Sequence, residues 1–171
     1  MTGGAPTVHA NVVLVGADGV LIRGRPGAGK SALTRALVAA VAAEGRFARL
    51  VADDRVLLAV EHGRLVARPP AVLAGFAELR GRGIGRVAYE PAAVVRLVVD
   101  LRAPADTERL PAEGEFSVDI LGVRLPRQPV PADVPFAVAL VFAALAEGAV
   151  AGWRVSPPEL FACVTGEAGQ S

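Results

Sequence analysis

The chain has 171 residues, enough for one domain with its own core, and its 18 basic and 17 acidic residues leave a formal net charge of +1. So small a charge gives no electrostatic footprint for nucleic acid or for an anionic membrane, which argues against partners of those two classes. The single cysteine, Cys163, excludes an internal disulfide framework. Because Met1–Pro6 also lacks a signal-peptide pattern, we expect a cytoplasmic protein in which this thiol is inert.

The first predicted elements are two short strands and a helix. Residues 11–15 and 20–23 are apolar runs separated by the turn Gly16-Ala17-Asp18-Gly19, which predicts a hairpin. A glycine-rich loop follows the second strand directly. Residues 31–43 are rich in alanine, leucine and valine without a breaker, which predicts a helix that ends at Glu44-Gly45.

The loop between this strand and this helix matches the G-x-x-x-x-G-K-S phosphate-binding pattern in the context that the pattern requires. Its residues are Gly24, Arg25, Pro26, Gly27, Ala28, Gly29, Lys30 and Ser31. Glycines allow successive backbone N–H groups to converge on a phosphate, and the N-terminus of the next helix adds partial positive charge. We expect Lys30, as an exposed loop side chain, to reach the β- and γ-phosphates of ATP, and Ser31 to hold Mg²⁺. The alternative is a glycine turn with a solvated lysine.

A pair of carboxylates follows the next predicted strand, residues 47–51. Asp53 and Asp54 lie at the end of this apolar run, where P-loop enzymes place an acidic residue that holds Mg²⁺. The other carboxylate of such a pair can accept a proton from an incoming hydroxyl. A solvated Asp-Asp turn is the alternative, because aspartate is common in turns.

Two further segments precede the C-terminal half. Residues 55–61 and 64–68 predict a second hairpin around His62-Gly63. The segment from Glu78 to Gly85 then spaces three glycines among charged and apolar residues. There Glu78 can serve as a second Mg²⁺ ligand, and Arg80 can neutralise phosphoryl oxygens. A solvated Gly-rich hairpin with incidental charges is the alternative.

The C-terminal half is predicted to hold two strands and a helix. Residues 94–101 are strongly β-branched and residues 116–125 alternate in character, so each predicts one strand, with residues 109–115 as a loop. A proline-rich connector leads to the longest apolar run, residues 134–146, which is too short to span a bilayer. The mean hydropathy of +0.45 therefore indicates a buried helix, with Phe136 and Phe142 in the core, and no membrane segment.

Strand and helix do not alternate regularly along this chain, unlike the order of a doubly wound nucleotide-binding fold. We therefore predict an α/β domain with a mixed sheet and hairpins around one P-loop helix. The single domain is predicted to span residues 1–171, with a core at about residues 8–147 and a short C-terminal tail.

These segments together resemble the catalytic domain of the HPr kinase/phosphorylase family. Besides the loop, His9 at the start of the first strand matches that family's active-site histidine, and Leu50-Val51-Ala52-Asp53-Asp54 is similar to its aspartate pair. The run Glu78-Leu79-Arg80-Gly81-Arg82-Gly83 resembles its Glu-x-Arg-Gly-x-Gly signature. Asp106-Thr107-Glu108-Arg109-Leu110 is similar to a later segment that carries an active-site arginine. Four linked motifs across residues 9–146 make the resemblance specific.

The resemblance implies a P-loop kinase fold shared with phosphoenolpyruvate carboxykinase. It also implies an ATP- and Mg²⁺-dependent protein kinase that phosphorylates a seryl hydroxyl of the phosphocarrier protein HPr or of an HPr-like protein, and a homo-oligomer that is a hexamer by the family's habit. Asp53 would be the general base, and the other catalytic residues would be His9, Lys30 and Arg109. The Mg²⁺ site would be formed by Ser31, Asp54 and Glu78.

The chain departs from the family pattern around this site. The N-terminal domain that many members carry is expected to be absent, and the helix before Asp53 is longer than usual. The family segment associated with dephosphorylation is replaced by Gln128-Pro129-Val130-Pro131-Ala132-Asp133-Val134-Pro135, without the expected basic residue. We therefore expect weak or absent phosphorylase activity.

Two other classes of function remain open. A small-molecule kinase would share the loop and the acidic pair but should carry lid arginines in a mobile insertion, and residues 81–86 are too short for an obvious lid. A non-catalytic nucleotide sensor would keep Lys30 without needing Asp53 or Glu78, so the presence of both carboxylates favours an enzyme. For a protein substrate, residues 81–85 and the C-terminal helix are the candidate docking surfaces.

Overall fold

The computed structural model describes residues 7–79, 81–103 and 113–148. Arg80, Arg109, Cys163 and the predicted C-terminal tail lie outside the described residues. The strands in chain order are β1 (Thr7–Val8), β2 (Ala10–Val15), β3 (Asp18–Arg23), β4 (Ala48–Ala52), β5 (Val56–Glu61), β6 (Arg64–Arg68), β7 (Phe76–Leu79), β8 (Gly83–Arg86), β9 (Ala93–Arg102), β10 (Ser117–Ile120) and β11 (Val123–Pro131). The helices are α1 (Lys30–Ala43) and α2 (Val134–Gly148), with short 3-10 turns at Ala71–Leu73 and Glu113–Phe116.

Nine of these strands form one mixed sheet. Their order is β1-β5-β6-β9-β3-β2-β4, and β11 adds to β9 with β10 at its outer side. The neighbours β3, β9 and β11 run parallel, and the remaining pairs are antiparallel. Strands β7 and β8 form a separate hairpin. The fold is therefore α/β with a mixed sheet, as the sequence predicts.

Strand direction brings several chain segments to one edge of the sheet. β3 and β9 are parallel with Arg23 opposite Asp100, so both end there. β2 is antiparallel to β3 and begins at the same edge, where Ala10 pairs with Arg23. β4 is antiparallel to β2, so Ala52 ends beside Val12. The residues that precede β2 and follow β3 and β4 therefore meet at this edge.

The core has two layers because residues alternate between the two faces of the sheet. On one face, Val13 and Ile22 pack with α1 and α2 through a buried cluster that includes Leu33, Leu37 and Val41 of α1. These three positions recur every four residues along one helix face, and burying each contributes roughly 1.5–3 kcal/mol. The opposite face carries a second cluster: Val12, Leu21, Leu65, Val98 and Leu125 are among its members.

The structure corrects the prediction for residues 116–125. Phe116 ends a 3-10 turn, and residues 117–125 form β10, a turn at Leu121-Gly122 and the start of β11, with Ile120 opposite Val123. Leu121 has φ 51° and Gly122 φ 79°, the pair of positive values that a two-residue hairpin turn of type I′ needs. Leu-Gly is not one of the usual sequences for this turn, so the sequence pattern did not predict a break between two strands here.

The prediction that the proline-rich segment is only a connector was also wrong in part, because residues 127–131 pair with β9 as the end of β11. Pro129 and Pro131 are two residues apart, so their missing N–H groups face the same side, away from β9. Proline is accepted at such an edge. In α2, Phe142 is buried as predicted but Phe136 is 55% exposed.

Candidate active site

The loop of residues 24–31 connects β3 to α1 at the sheet edge described above. Gly29 has φ 101° and immediately precedes the helix, and its carbonyl accepts the first helical hydrogen bond from Leu33. A residue with a side chain would be strained there, because positive φ of this size is almost restricted to glycine. The loop therefore leads directly into the N-terminus of α1, where free backbone N–H groups can bind an anion.

Lys30 is buried, with 6% of its surface exposed, so the expectation of an exposed loop lysine was wrong. Its Nζ donates to the carbonyl oxygens of Gly24 at 3.2 Å and Arg25 at 3.3 Å. Both of these acceptors are neutral carbonyl groups. A phosphate in the loop would offer the ammonium an anionic partner, and charge-assisted hydrogen bonds are about twice as strong as neutral ones.

Asp53 is held on both of its carboxylate oxygens. Oδ1 accepts from Asn11 Nδ2 at 2.7 Å and from Ser31 Oγ at 2.9 Å, and Oδ2 accepts from the backbone N–H of Glu78 at 3.1 Å. The carboxylate that follows β4 is therefore fixed against the hydroxyl of the phosphate-binding loop. This is the arrangement in which P-loop enzymes hold a magnesium ion.

Asp54 has a different environment. Its φ is 66°, a left-handed conformation that aspartate tolerates better than most residues. Its backbone N–H donates to Asn11 Oδ1 at 3.0 Å, and its carboxylate contacts His9 Nε2. The side chain of Asp54 is 61% exposed. The turn therefore directs Asp54 outward while Asp53 points down to α1.

A cavity of about 220 Å³ lies between the loop and this acidic turn. Its lining includes His9, Lys30, Ser31, Asp54 and Glu78. Most of the site residues predicted from the sequence therefore line this one cavity. Asp53 lines a neighbouring, largely apolar groove of about 460 Å³ instead, and Arg109 is outside the described residues.

Glu78 reaches this cavity from the β7–β8 hairpin. Its carbonyl accepts a hydrogen bond from Arg35 of α1 at 3.4 Å, in addition to the bond from its N–H to Asp53. Within the described part of the chain, His, Cys, Asp and Glu side chains form no group of three or more that could hold a metal by themselves. Mg²⁺ does not need one, because it is usually bound through one or two carboxylates, waters and substrate phosphates.

A second space lies on the other side of the loop. This cavity of about 720 Å³ is lined by the loop backbone and by Leu101, Arg102, Ala103 and Ala132 at the ends of β9 and β11. It is large enough for a nucleoside beside a phosphate-binding turn.

An ion cluster stabilises the strand ends under the loop. Asp100 binds Arg23 through both oxygens, at 2.7 and 2.8 Å, and Arg127 donates to it at 2.5 Å. Burial raises the pKa of Asp100, but the hydrogen bonds and charges of Arg23 and Arg127 outweigh burial and hold this pKa below its ordinary value. The carboxylate therefore stays ionised and fixes the last residue before the loop.

The comparison with protein families identifies the chain. The model of the family described as HPr Serine kinase C-terminal domain matches residues 4–156. The chain belongs to this family. The resemblance read from the four motifs is thereby confirmed.

Individual members of the family agree with this result. HPr kinase/phosphorylase of Clostridium beijerinckii is 34% identical over 134 residues, which are 72% of this chain and 42% of that protein. The enzyme of the same name from Geobacillus thermodenitrificans is 36% identical over 140 residues, 74% of this chain and 43% of its own. The chain thus spans about half of the length of these relatives.

Among solved structures, the chain is similar to the HPr(Ser) kinase/phosphatase from Coxiella burnetii. The TM-score is 0.68 at 28% sequence identity, over 83% of this chain and 97% of the other. The mixed-sheet kinase fold is therefore that of the family. In the described part of the chain, neither helix reaches the length and hydropathy that crossing a membrane demands.

Sequence reasoning missed the buried polar residues beneath the site. Asn11 is 1% exposed and Thr34 is 4% exposed, and Asn11 Nδ2 lies 3.3 Å from Thr34 Oγ1 and 3.2 Å from Ser31 Oγ. The available signal was an asparagine at an inward position of an otherwise apolar strand. Buried polar groups are hydrogen-bonded, so such a residue indicates a fixed partner nearby.

Proposed function

We propose that this chain is the catalytic domain of an ATP-dependent protein serine kinase that phosphorylates HPr or an HPr-like phosphocarrier protein in the cytoplasm. Family membership supports the substrate class. The observation that carries the reaction type is the single cavity in which Lys30 and Ser31 of a phosphate-binding loop face Asp54, His9 and Glu78. Homo-oligomerisation, as a hexamer by family resemblance, stays a prediction.

The loop would bind the phosphates of ATP. Residues 24–31 present backbone N–H groups and the start of α1, and Lys30 would exchange its carbonyl partners for β- and γ-phosphate oxygens. The cavity beside Leu101 and Ala132 would take the nucleoside. In this arrangement the γ-phosphate would lie on the side of the acidic turn.

The oxygen donors present fit a magnesium ion. Ser31 Oγ and Asp53 Oδ1 are 2.9 Å apart, and Ser31 lines the 220 Å³ cavity together with Glu78, so hard oxygen ligands lie near the expected phosphate position. When bound, Mg²⁺ would neutralise charge that develops on the phosphoryl oxygens. Asp53, held by its three hydrogen-bond donors, would keep the metal side of the site rigid.

We propose Asp54 as the general base, which reverses the roles that the sequence suggested for the two aspartates. Asp53 already accepts three hydrogen bonds and lies beneath the loop. Asp54 is exposed, lines the cavity and contacts His9, so it can approach a seryl hydroxyl from the open side. It would orient that hydroxyl and accept its proton as the phosphoryl group transfers, and His9 would keep the carboxylate in position.

The experiment is transfer of labelled phosphate from ATP to a purified HPr-type protein, with a variant of that protein lacking the acceptor serine as the control. Labelling of the intact substrate alone is expected. A parallel panel of small hydroxylated metabolites tests the small-molecule kinase alternative. Labelled metabolite without labelled protein would refute the proposed substrate, and nucleotide binding without any transfer would indicate a sensor.

We further propose that the reverse reaction is weak. Phosphate attack on a phosphoserine brings two anions together, which is costly in a dry site without a cationic clamp. Residues 128–135 contain no basic side chain, and the adjacent Arg127 is already bound to Asp100. Incubation of the phosphorylated protein with excess phosphate should therefore release pyrophosphate far more slowly than the forward reaction proceeds. Comparable rates would show that Arg109 or another cation supplies the clamp.

A further inference from the structure

Asn11 connects the two aspartates of the site through opposite ends of one side chain. Its amide nitrogen donates to Asp53 Oδ1 at 2.7 Å, and its carbonyl oxygen accepts from the backbone N–H of Asp54 at 3.0 Å. Both contacts are satisfied by one orientation of the amide only, because an amide donates from nitrogen and accepts on oxygen. The side chain is buried in β2 with 1% of its surface exposed, so its position is set by the sheet.

We propose that Asn11 is a positioning residue for phosphoryl transfer, which holds Asp53 toward Ser31 and keeps Asp54 in its left-handed turn. This inference rests on the proposed function. Asp54 at φ 66° is in a conformation that costs free energy unless the surroundings fix it. The bond to Asn11 is one such restraint, and it lies on the main chain, so it leaves the Asp54 carboxylate free to face the cavity.

The neighbouring Thr34 offers a matched control. It lies 3.3 Å from the same Asn11 nitrogen and is 4% exposed, but its hydroxyl donates to the carbonyl of Lys30 at 2.9 Å and it has no hydrogen bond to either aspartate in the described structure. Thr34→Val has nearly the same shape and removes a polar group from the same place. It therefore measures the effect of disturbing this buried cluster without releasing the aspartates.

The first experiment is a double-mutant cycle on turnover with the HPr-type substrate. Asn11→Leu removes both hydrogen bonds and should lower kcat at least tenfold while KM for ATP changes less than threefold. In the Asp54→Asn background at saturating Mg²⁺, the same substitution should lower kcat less than threefold, because the aspartate proposed to accept the proton has already lost its function. Asn11→Ser can keep one of the two hydrogen bonds to the aspartates and should therefore lower kcat by an intermediate factor. This variant replaces Asn11→Leu in the experiment if Asn11→Leu does not fold.

An equal kcat loss from Asn11→Leu in both backgrounds, or an equal loss from Thr34→Val, would overturn the proposal. A second readout does not depend on the substrate: nucleotide binding measured by calorimetry. Metal-free ADP should bind the wild type and Asn11→Leu within threefold, whereas the Mg²⁺ concentration for half-maximal stimulation of binding should rise at least fivefold. If the wild type failed to phosphorylate HPr, this shift would still support the positioning role of Asn11. An unchanged Mg²⁺ requirement would contradict that role.

Discussion

Asp54→Asn should reduce turnover while leaving stability almost unchanged, whereas Asp53→Asn should reduce both. Asparagine has nearly the same size as aspartate, so the two variants change charge and hydrogen bonding at each position and little else. The expected difference follows from how many donors each carboxylate accepts. It tests the proposed division of roles between metal support and general base.

The cost for Asp53 follows from its three donors. Asn11 and Ser31 donate to one oxygen and the Glu78 N–H donates to the other. An amide has one acceptor atom, so in either orientation its NH₂ group faces a donor and leaves that donor unpaired. An unpaired buried donor costs about 1–3 kcal/mol. Because this turn is only half-buried, we expect about 1–2 kcal/mol, or a fall in Tm of roughly 3–6 °C for a domain of this size.

The corresponding cost for Asp54 is small. Its carboxylate is 61% exposed and contacts His9, and exposed pairs of this kind contribute about 0–1 kcal/mol. Asparagine also tolerates the left-handed conformation at φ 66°. We therefore expect a Tm change below about 2 °C. Loss of a general base should nevertheless reduce kcat by about 10²–10⁴.

Thermal unfolding followed by circular dichroism gives the stability, and steady-state transfer to an HPr-type protein gives kcat. Mg²⁺ titration of nucleotide binding separates the metal role, and it should be weakened by Asp53→Asn only. If Asp53→Asn kept its Tm and lost more turnover than Asp54→Asn at equal Mg²⁺ affinity, Asp53 would be the base and the reasoning from donors would be wrong.

Three other substitutions test separate parts of the structure. Lys30→Ala should lower transfer by at least about 10²–10³-fold because it removes the cation at the phosphates, and normal turnover of the folded variant would exclude the loop from the site. The pKa of Asp100 is lowered, so the ionised carboxylate stabilises the fold fully above the ordinary carboxyl pKa of 3.8, and this stabilisation is lost as the pH falls through the lowered pKa. The free energy of unfolding of Asp100→Asn, measured with urea, should therefore fall less steeply than that of the wild type as the pH is lowered below 4. Gly19→Ala would place a Cβ atom 2.6 Å from the carbonyl oxygen of Val94. It should lower the free energy of unfolding, measured with urea, by about 1–3 kcal/mol. An unchanged urea midpoint would show that β3 and β9 separate easily.

The helices and hairpins with strong local signals were predictable. The predicted helix over residues 31–43 matches α1, and Gly45 ends it with φ 68°, because the capping glycine and the apolar spacing are local properties. The break at Leu121 was missed because that turn is imposed by the pairing of β10 with β11 rather than by its own sequence. The strand at Pro129 was missed because its edge position, which makes proline acceptable, depends on the tertiary fold.

The candidate site divides in the same way. The phosphate-binding loop and the Asp53-Asp54 pair are sequence motifs, and the structure brings them together. In the sequence, Asn11 is marked only as a polar residue in an apolar strand, and its two aspartate partners became known when the structure placed β2 beside β4. The burial of Lys30 was missed although its partners are local, because the loop motif does not show that the ammonium folds back onto the carbonyl groups of Gly24 and Arg25.

Glu78 contributes to the site through its main chain as well as its carboxylate. The N–H that binds Asp53 and the carbonyl that accepts from Arg35 would be supplied by almost any amino acid at this position. Proline is the exception for the first contact, since it has no N–H. Selection can therefore exchange the side chain at position 78, and with it any affinity for the proposed Mg²⁺, without losing the anchor of Asp53. Position 78 is thus a place where the chemistry of the site can evolve while its framework is preserved.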